Sequence, residues 1–446
     1  MNTEKSLIEK LNVWIRNSVT LKLATITILV LLLLIPSSMI QSIIGERERL
    51  NKDAAREVSS KWANSQMIKG PILSIPLTYE EKNGEEMLTY TKYIHLLPNH
   101  LSIHGTIDPE KLKRGIYEVV VYQSNLMISG NFKLINQFER SYLKEVRYDE
   151  AFISLGVSDL RGIKNHVEFI WEDENLSITP GSKLQDFAYS GFTVPLPDDF
   201  RLDNSTIPFD FNLNLQGSHH LSFQPVGSTT TVNIESTWEA PSFDGNFLPD
   251  FRDVREDGFE ANWEILQLNR NYPQTWTGND HFKNMDDSSF GVTLILPMDD
   301  YQKSMRSAKY AVMTIALTFL IFFLVEILNG KKIHPFQYTL VGLALCLFYV
   351  LLVSISEHSN FNVAYWISTT SIVTMIMLYS LSIFKTKRLT ILLVTTLCGI
   401  YGFLFITLQL VDYALLMGSI GLTIILASTM YFTRKVNWYK LNIKPE

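Results

Sequence analysis

Glu357 and His358 stand side by side where the apolar run YVLLVSIS turns polar. A carboxylate beside an imidazole is equipment for general acid–base work, because histidine titrates near pH 7. The same pair could ligate a metal, relay a proton, or mark the point where a helix leaves a membrane. Asp412, in the break VDY, is a second acid of the same kind. Upstream, His95, His100 and His104 in HLLPNHLSIH offer three imidazoles, as many as a catalytic zinc can take. Their spacings of five and four miss the two-residue period of a strand, and Pro98 interrupts them, so surface histidines around a turn are expected. His219 and His220 are adjacent and would face opposite sides of a strand. Asp159 and Arg161 in GVSDLRGI suit a turn closed by an Asp cap and an ion pair, and FRDVREDGFEANW suits a solvated hairpin. No nucleophile is nominated, and no phosphate-binding loop, dinucleotide fingerprint, nucleophile elbow or H-E-x-x-H stretch occurs. The expectation is a protein that is not an enzyme, with no catalytic residue, metal ligand or cofactor.

What these residues can do depends on the elements that carry them. Six stretches approach the roughly 20 apolar residues that a membrane crossing needs. The first is 21–44, and the others lie near 309–327, 336–355, 362–384, 390–410 and 414–432. Lys5, Lys10, Arg16 and Lys22 precede the first span, Lys331 and Lys332 lie in the second break, and Lys385, Lys387 and Arg388 in the fourth. Arg434, Lys435, Lys440 and Lys444 follow the last, whereas SEHSNF and VDY contain no lysine or arginine. Alternate connections are therefore basic, which places both termini in the cytoplasm and the region after the first span outside. An uncleaved anchor is expected rather than a signal peptide, because the apolar core is long and no A-x-A site follows. Glu326, near the cytoplasmic end of its span, is expected to snorkel toward Lys331, Lys332 or His334. The spans lack the buried carboxylates of a coupled transporter, although Gln409 and many serines and threonines could line a small cavity.

Between Gly45 and Ala308 there are 39 acids and 25 lysines and arginines, a net charge of −14. Nucleic acid is excluded as a partner, since phosphates need cations. Both cysteines, Cys346 and Cys398, fall in apolar runs, so this region holds together without disulfides. Leu50, Ala54, Val58 and Trp62 make one helical stripe over 45–66, broken at Gly70-Pro71. Alternating segments such as FDFNLNLQG and TTVNIESTW then predict many strands in an all-β, sandwich-like domain of one lobe or two. The expected organisation is a tail (1–20), a first transmembrane helix (21–44), the β-rich domain (45–308), a five-helix bundle (309–432) and a second tail (433–446).

The stretch from Lys309 to His358, with HPFQY and SEH, resembles the CreD family of bacterial inner-membrane proteins, as do GIYEVVVYQSNLMISGNF, GVSDLRGI and GNFLPDFRDVREDGFEANW. The resemblance spans nearly the whole chain. It implies a multi-pass inner-membrane protein with a large periplasmic domain, linked to envelope integrity, colicin tolerance and a two-component system that affects the β-lactam response. It carries over no catalytic residues. The expected function is envelope maintenance under stress, with the lipid bilayer and an envelope protein or cell-wall component as partners. The alternative is an enzyme acting on lipid or cell-wall material at the periplasmic face through Glu357, His358 and Asp412. Arg306 and Lys309, entering the second span from that face, are the expected counterions for Glu357 and Asp412.

Overall fold

A computed structural model of the chain describes residues 19–83, 86–135, 141–296, 300–329, 333–410 and 413–434. Two compact units emerge, one from Met1–Leu50 with Met298–Glu446 and the other from Asn51–Pro297. Their boundary falls inside helix α1 (Val19–Trp62), whose 44 residues rise about 66 Å at 1.5 Å each. Pro36 lies within it, in the apolar half, where membrane helices tolerate a missing N–H. Leu50, expected on the apolar stripe, is 42% exposed, while Ala54 is buried.

Gly70-Pro71 does not end this helix, contrary to expectation. The helix stops at Trp62, and β1 (Gln66–Asn83) has begun before Gly70 is reached. Pairing with the neighbouring strand shifts register between Lys69 and Ile72, and such a bulge is where a strand can hold a proline without an N–H. What closes the helix is a polar knot. Asp159 accepts from the backbone N and side-chain Nδ2 of Asn64 at 3.0 and 3.2 Å, and Arg161 donates to Asp159 at 2.6 and 2.9 Å. Arg161 also donates to the carbonyl of Ser60, one of the acceptors a helix end leaves open. The expected Asp cap and ion pair are thus present, with the added task of fastening α1.

Beyond the end of α1, the second unit is mainly β. Its early strands are β1, β2 (Glu86–Leu96), β3 (His100–Arg114), β4 (Tyr117–Lys133), β5 (Leu143–Val146) and β6 (Phe152–Val157). Then come β7 (Phe169–Trp171), β8 (Glu174–Leu176), β9 (Thr179–Pro180), β10 (Gly191–Pro195), β11 (Thr206–Ser218) and β12 (His220–Phe223). The last are β13 (Thr229–Ser236), β14 (Pro241–Gly245), β15 (Phe251–Arg255), β16 (Gly258–Leu266), β17 (Thr275–Thr277) and β18 (Phe290–Leu294), with helix α2 (Phe282–Asp286) before β18. One sheet runs β14-β18-β12-β1-β6-β10-β9, with β2 and β5 also on β1 and β17 on β2; the other runs β15-β16-β13-β3-β4-β11-β7-β8. Ile72, Phe152 and Val194 from the first sheet share one core with Ile103, Phe211 and Trp263 from the second, so the domain is a single sandwich-like lobe. The alternation in β11 shows why. Phe209, Phe211 and Leu213 point inward and are buried while Asp210 and Asn212 point outward, and each buried ring or Leu contributes about 1.5–3 kcal/mol.

In the first unit, α1 is joined by α3 (Asp300–Lys309), α4 (Ala311–Asn329), α5 (Pro335–Ser356), α6 (Phe361–Phe384), α7 (Lys387–Gln409) and α8 (Ala414–Thr433). Among the described residues, five helices (α1, α4, α5, α6 and α7) are long and apolar enough to cross a membrane, and the apolar part of α8 adds a shorter one at Leu416–Tyr431. α1 packs closely on α5 at Gly342, where a Cβ would come within 2.2 Å of Leu33 Cδ1. Small residues at such crossings let membrane helices touch, since lipid supplies no hydrophobic drive between them.

Candidate functional site

Glu357 caps the C-terminus of α5 and has partners on two other helices. Arg47 Nε of α1 lies 3.5 Å from Glu357 Oε1, and Tyr301 of α3 donates to the same oxygen at 3.3 Å. The surrounding polar groups are similarly engaged in joining helices. Asp300 accepts from the backbone N of Phe361 at 3.1 Å, and Asn360 caps α6 by accepting from Val363 N at 2.9 Å. Gln409 donates to Asn362 at 2.7 Å. Arg306, expected near Glu357, instead donates to the carbonyls of Leu410 and Thr407 at 3.1 and 3.5 Å, where α7 ends and its last acceptors are open. Lys309 is exposed and forms no ion pair among the described residues, and His358 is also exposed. Asp412, Lys331, Lys332 and most of both tails lie outside the described residues.

The opposite end of α5 overturns the snorkelling expectation. Glu326 is 1% exposed and ion-paired with Lys22 of α1, while the Ile333 backbone N donates to it at 2.8 Å and the Tyr338 hydroxyl at 3.1 Å. A carboxylate at this depth is tolerated only when paired and fully hydrogen-bonded. The spans therefore do contain a buried carboxylate, but its oxygens are occupied by protein donors. No sequence neighbour identifies Lys22 as the partner. The only hints are that Lys22 and Arg47 flank the first apolar run, and that Tyr338 lies in HPFQY.

Between these ends, Tyr349, Tyr365 and Tyr401 pack around Phe348, with ring centroids 4.9, 5.4 and 4.7 Å away. Tyr365 donates to the Tyr401 carbonyl at 2.7 Å, whereas the Tyr401 hydroxyl has no partner among the described residues. Next to α4, α7 and α8 an apolar cavity of about 300 Å³ is lined by Leu320, Leu324, Thr396, Ile400 and Ile424.

The β domain separates the three upstream histidines. His100 and His104 are exposed on β3, but His95 on β2 is wholly buried in the other sheet, against the expectation of a surface histidine. Its Nδ1 lies 2.8 Å from Ser74 Oγ, and Trp276 and Phe282 flank the ring at 5.2 and 5.1 Å. Burial pushes its pKa down to about 3, so the imidazole is neutral. Register explains the miss: His95 pairs with Ser74 on β1 and Trp276 on β17, neither close in sequence. His219 lies between two strands at φ 63°, with its pKa lowered by burial, while His220 Nδ1 meets Thr293 Oγ1 at 2.9 Å. Among the described residues, no group of three or more His, Cys, Asp or Glu could hold a metal ion.

The arrangement ties helices together. A family model described as "Inner membrane protein CreD" matches residues 18–439. The inner membrane protein CreD of Escherichia coli (strain K12) is 34% identical over 421 residues, which cover 93% of this chain and 92% of that protein.

Proposed function

The chain belongs to the CreD family of inner membrane proteins, and from that premise we propose that it supports cell-envelope integrity without catalysing a reaction. Its helices anchor it in the inner membrane, both termini lie in the cytoplasm, and the β domain works in the periplasm by docking an envelope component.

One observation carries the reading. Lys22 and Arg47 stand 25 residues apart on α1, and each meets a carboxylate, Glu326 and Glu357. At 1.5 Å per residue their separation is about 37 Å, slightly more than a hydrocarbon core of roughly 30 Å. Ion pairs so spaced suit charges held at the two membrane surfaces, where they fix helix depth rather than turn over a substrate. Glu357, the acid a catalyst would need, is engaged by Arg47 and Tyr301. The alternation of basic and non-basic breaks supports the orientation.

Two experiments test this. With Cys346 and Cys398 replaced by alanine, Ser359→Cys should react with a membrane-impermeant maleimide in intact cells, and Lys385→Cys only after lysis. The opposite pattern would invert the topology. A deletion strain should show altered detergent sensitivity and permeability under envelope stress, and a Glu357→Ala, His358→Ala double variant at normal abundance should restore it. Failure of that variant to complement would favour catalysis at the acid–histidine pair.

A further inference from the structure

The outward face of the eight-stranded sheet has an unusual composition. Asparagine is depleted in strands, yet six occupy β4, β11, β13 and β16. Register gathers them. Asn262 pairs with Asn233, Asn233 with His104, His104 with Met127, and Met127 with Asn212, in one row across five strands. The next row runs from Glu260 through Glu235, Thr106 and Asn125 to Asn214. The row on the other side holds Glu264, Thr231, Ser102, Ser129 and Asp210. None of the fifteen positions in these rows is lysine or arginine. Among the described residues, the side chains of Asn125, Asn212, Asn233 and Asn262 form no hydrogen bond within the protein. The face ends in a cleft of about 390 Å³ lined by Thr106, Asp108, Glu235, Asp257 and Glu260. Its one cation, Arg255, is held by Asp253 and Asp257 at 3.4 and 3.9 Å.

We propose that this face and its cleft bind an uncharged glycan chain. The assignment rests on the reading that the β domain docks an envelope component, and it names that component's chemistry. Each asparagine amide offers two donors and an acceptor, matching hydroxyls that both donate and accept. Glu235 and Glu260 add acceptors for hydroxyl pairs. Met127 and Phe251, 58% and 54% exposed on the row of asparagines, supply apolar contact for the C–H faces of sugar rings. The charge pattern selects against alternatives. Across these rows and the cleft, phosphate- or sulfate-bearing ligands would meet acids and no lysine or arginine except Arg255, already held by two acids. The core of a protein–protein interface is depleted in charged residues and enriched in aromatics and arginine, unlike this surface. Strand spacing of about 4.8 Å lets the five strands present polar groups over roughly 19 Å, the span of an oligosaccharide rather than a single sugar.

The test uses the full chain in lipid nanodiscs free of sugar-headed detergent. Three probes are compared by saturation-transfer difference NMR and calorimetry: chitohexaose (neutral, acetamido-bearing), cellohexaose (neutral, hydroxyl only) and a heparin hexasaccharide (anionic). At least one neutral hexamer should bind, and the comparison between them decides whether acetamido groups take part. The Asn125→Thr, Asn233→Thr, Asn262→Thr triple variant should bind at least 10-fold more weakly with an unchanged unfolding midpoint, and Asn212→Lys alone should also weaken binding. The proposal is overturned if neither neutral hexamer binds, if the anionic one binds as well, or if the folded triple variant binds like the parent. If crosslinking from the β domain traps an envelope protein while no neutral hexamer binds, the glycan assignment falls and the docking reading stands. Glycan binding together with an unaffected deletion strain would refute the envelope role and keep the site.

Discussion

Lowering the pH from 7.5 to 5 should destabilise the β domain, with His95 as a major contributor. An unfolded histidine titrates near 6.5, whereas burial holds this one at about 3. Between those values the unfolded chain binds a proton that the folded chain refuses, so stability falls as pH falls. Above 6.5 both states are neutral and His95 contributes no pH dependence; below about 3 both are charged and the loss has levelled off. At pH 5 the gap of 1.5 pH units at 1.36 kcal/mol each amounts to about 2 kcal/mol, and at pH 4 to about 3 kcal/mol. Since whole domains hold only about 5–15 kcal/mol, such losses are easily seen. The assay is equilibrium urea unfolding of the full chain in nanodiscs, followed by tryptophan fluorescence, to which Trp276 beside His95 contributes. Other acids titrate too, so the control is His95→Asn, which keeps a polar group near Ser74 but does not ionise. Whatever that variant loses at pH 7.5, its further loss between pH 7.5 and 5 should be about 2 kcal/mol smaller than the parent's. Equal pH slopes for parent and variant would refute the reasoning, because they would mean that His95 accepts its proton without unfolding.

The other predictions follow from paired groups. Lys22→Met should cost about 3 kcal/mol by stranding Glu326, and Lys22→Met with Glu326→Leu should recover most of it. Thermal unfolding in nanodiscs reads both, and a double variant as unstable as the single one would contradict the pairing. Tyr365→Phe should lose about 1 kcal/mol with its bond to the Tyr401 carbonyl, whereas Tyr401→Phe should lose none, because its hydroxyl has no partner among the described residues. Equal losses in the same melts would mean that both hydroxyls are bound. Asp159, held at about pKa 2 chiefly by Arg161, contributes stability that is present above its ordinary 3.8 and lost as pH falls through 2. Asp159→Asn should therefore cost about 2 kcal/mol at pH 7, and urea melts unchanged by it would rule out the Arg161 bond as the cause.

Much of the architecture was legible because its signals are local. The apolar runs announce the membrane helices, and the alternation in FDFNLNLQG announces β11 with Phe209 and Phe211 inward. Asp159 and Arg161 declare their turn because cap and ion pair lie two residues apart. The failures share a different cause. Glu326 has Lys331 and Lys332 nearby in sequence, yet its cation comes from α1, and Glu357 likewise meets Arg47 rather than Arg306 or Lys309. Arg306 is drawn to the open carbonyls at the end of α7, a demand that no residue type advertises. His95 was obscured by register, since its environment is built by strands β1 and β17. The asparagine face is the intermediate case. Each asparagine is visible in the sequence, but only the pairing of five strands puts them in rows.

The pair between Lys22 and Glu326 joins residues 304 apart, and the whole β domain is made in between. At 5–20 residues per second, a ribosome needs about 15–60 s to deliver the partner. For that interval the first helix has been made and Glu326 has not. A message truncated before α4 would never leave that state. The ion pair that ties α1 to α4 thus closes only after the second half of the protein has been translated.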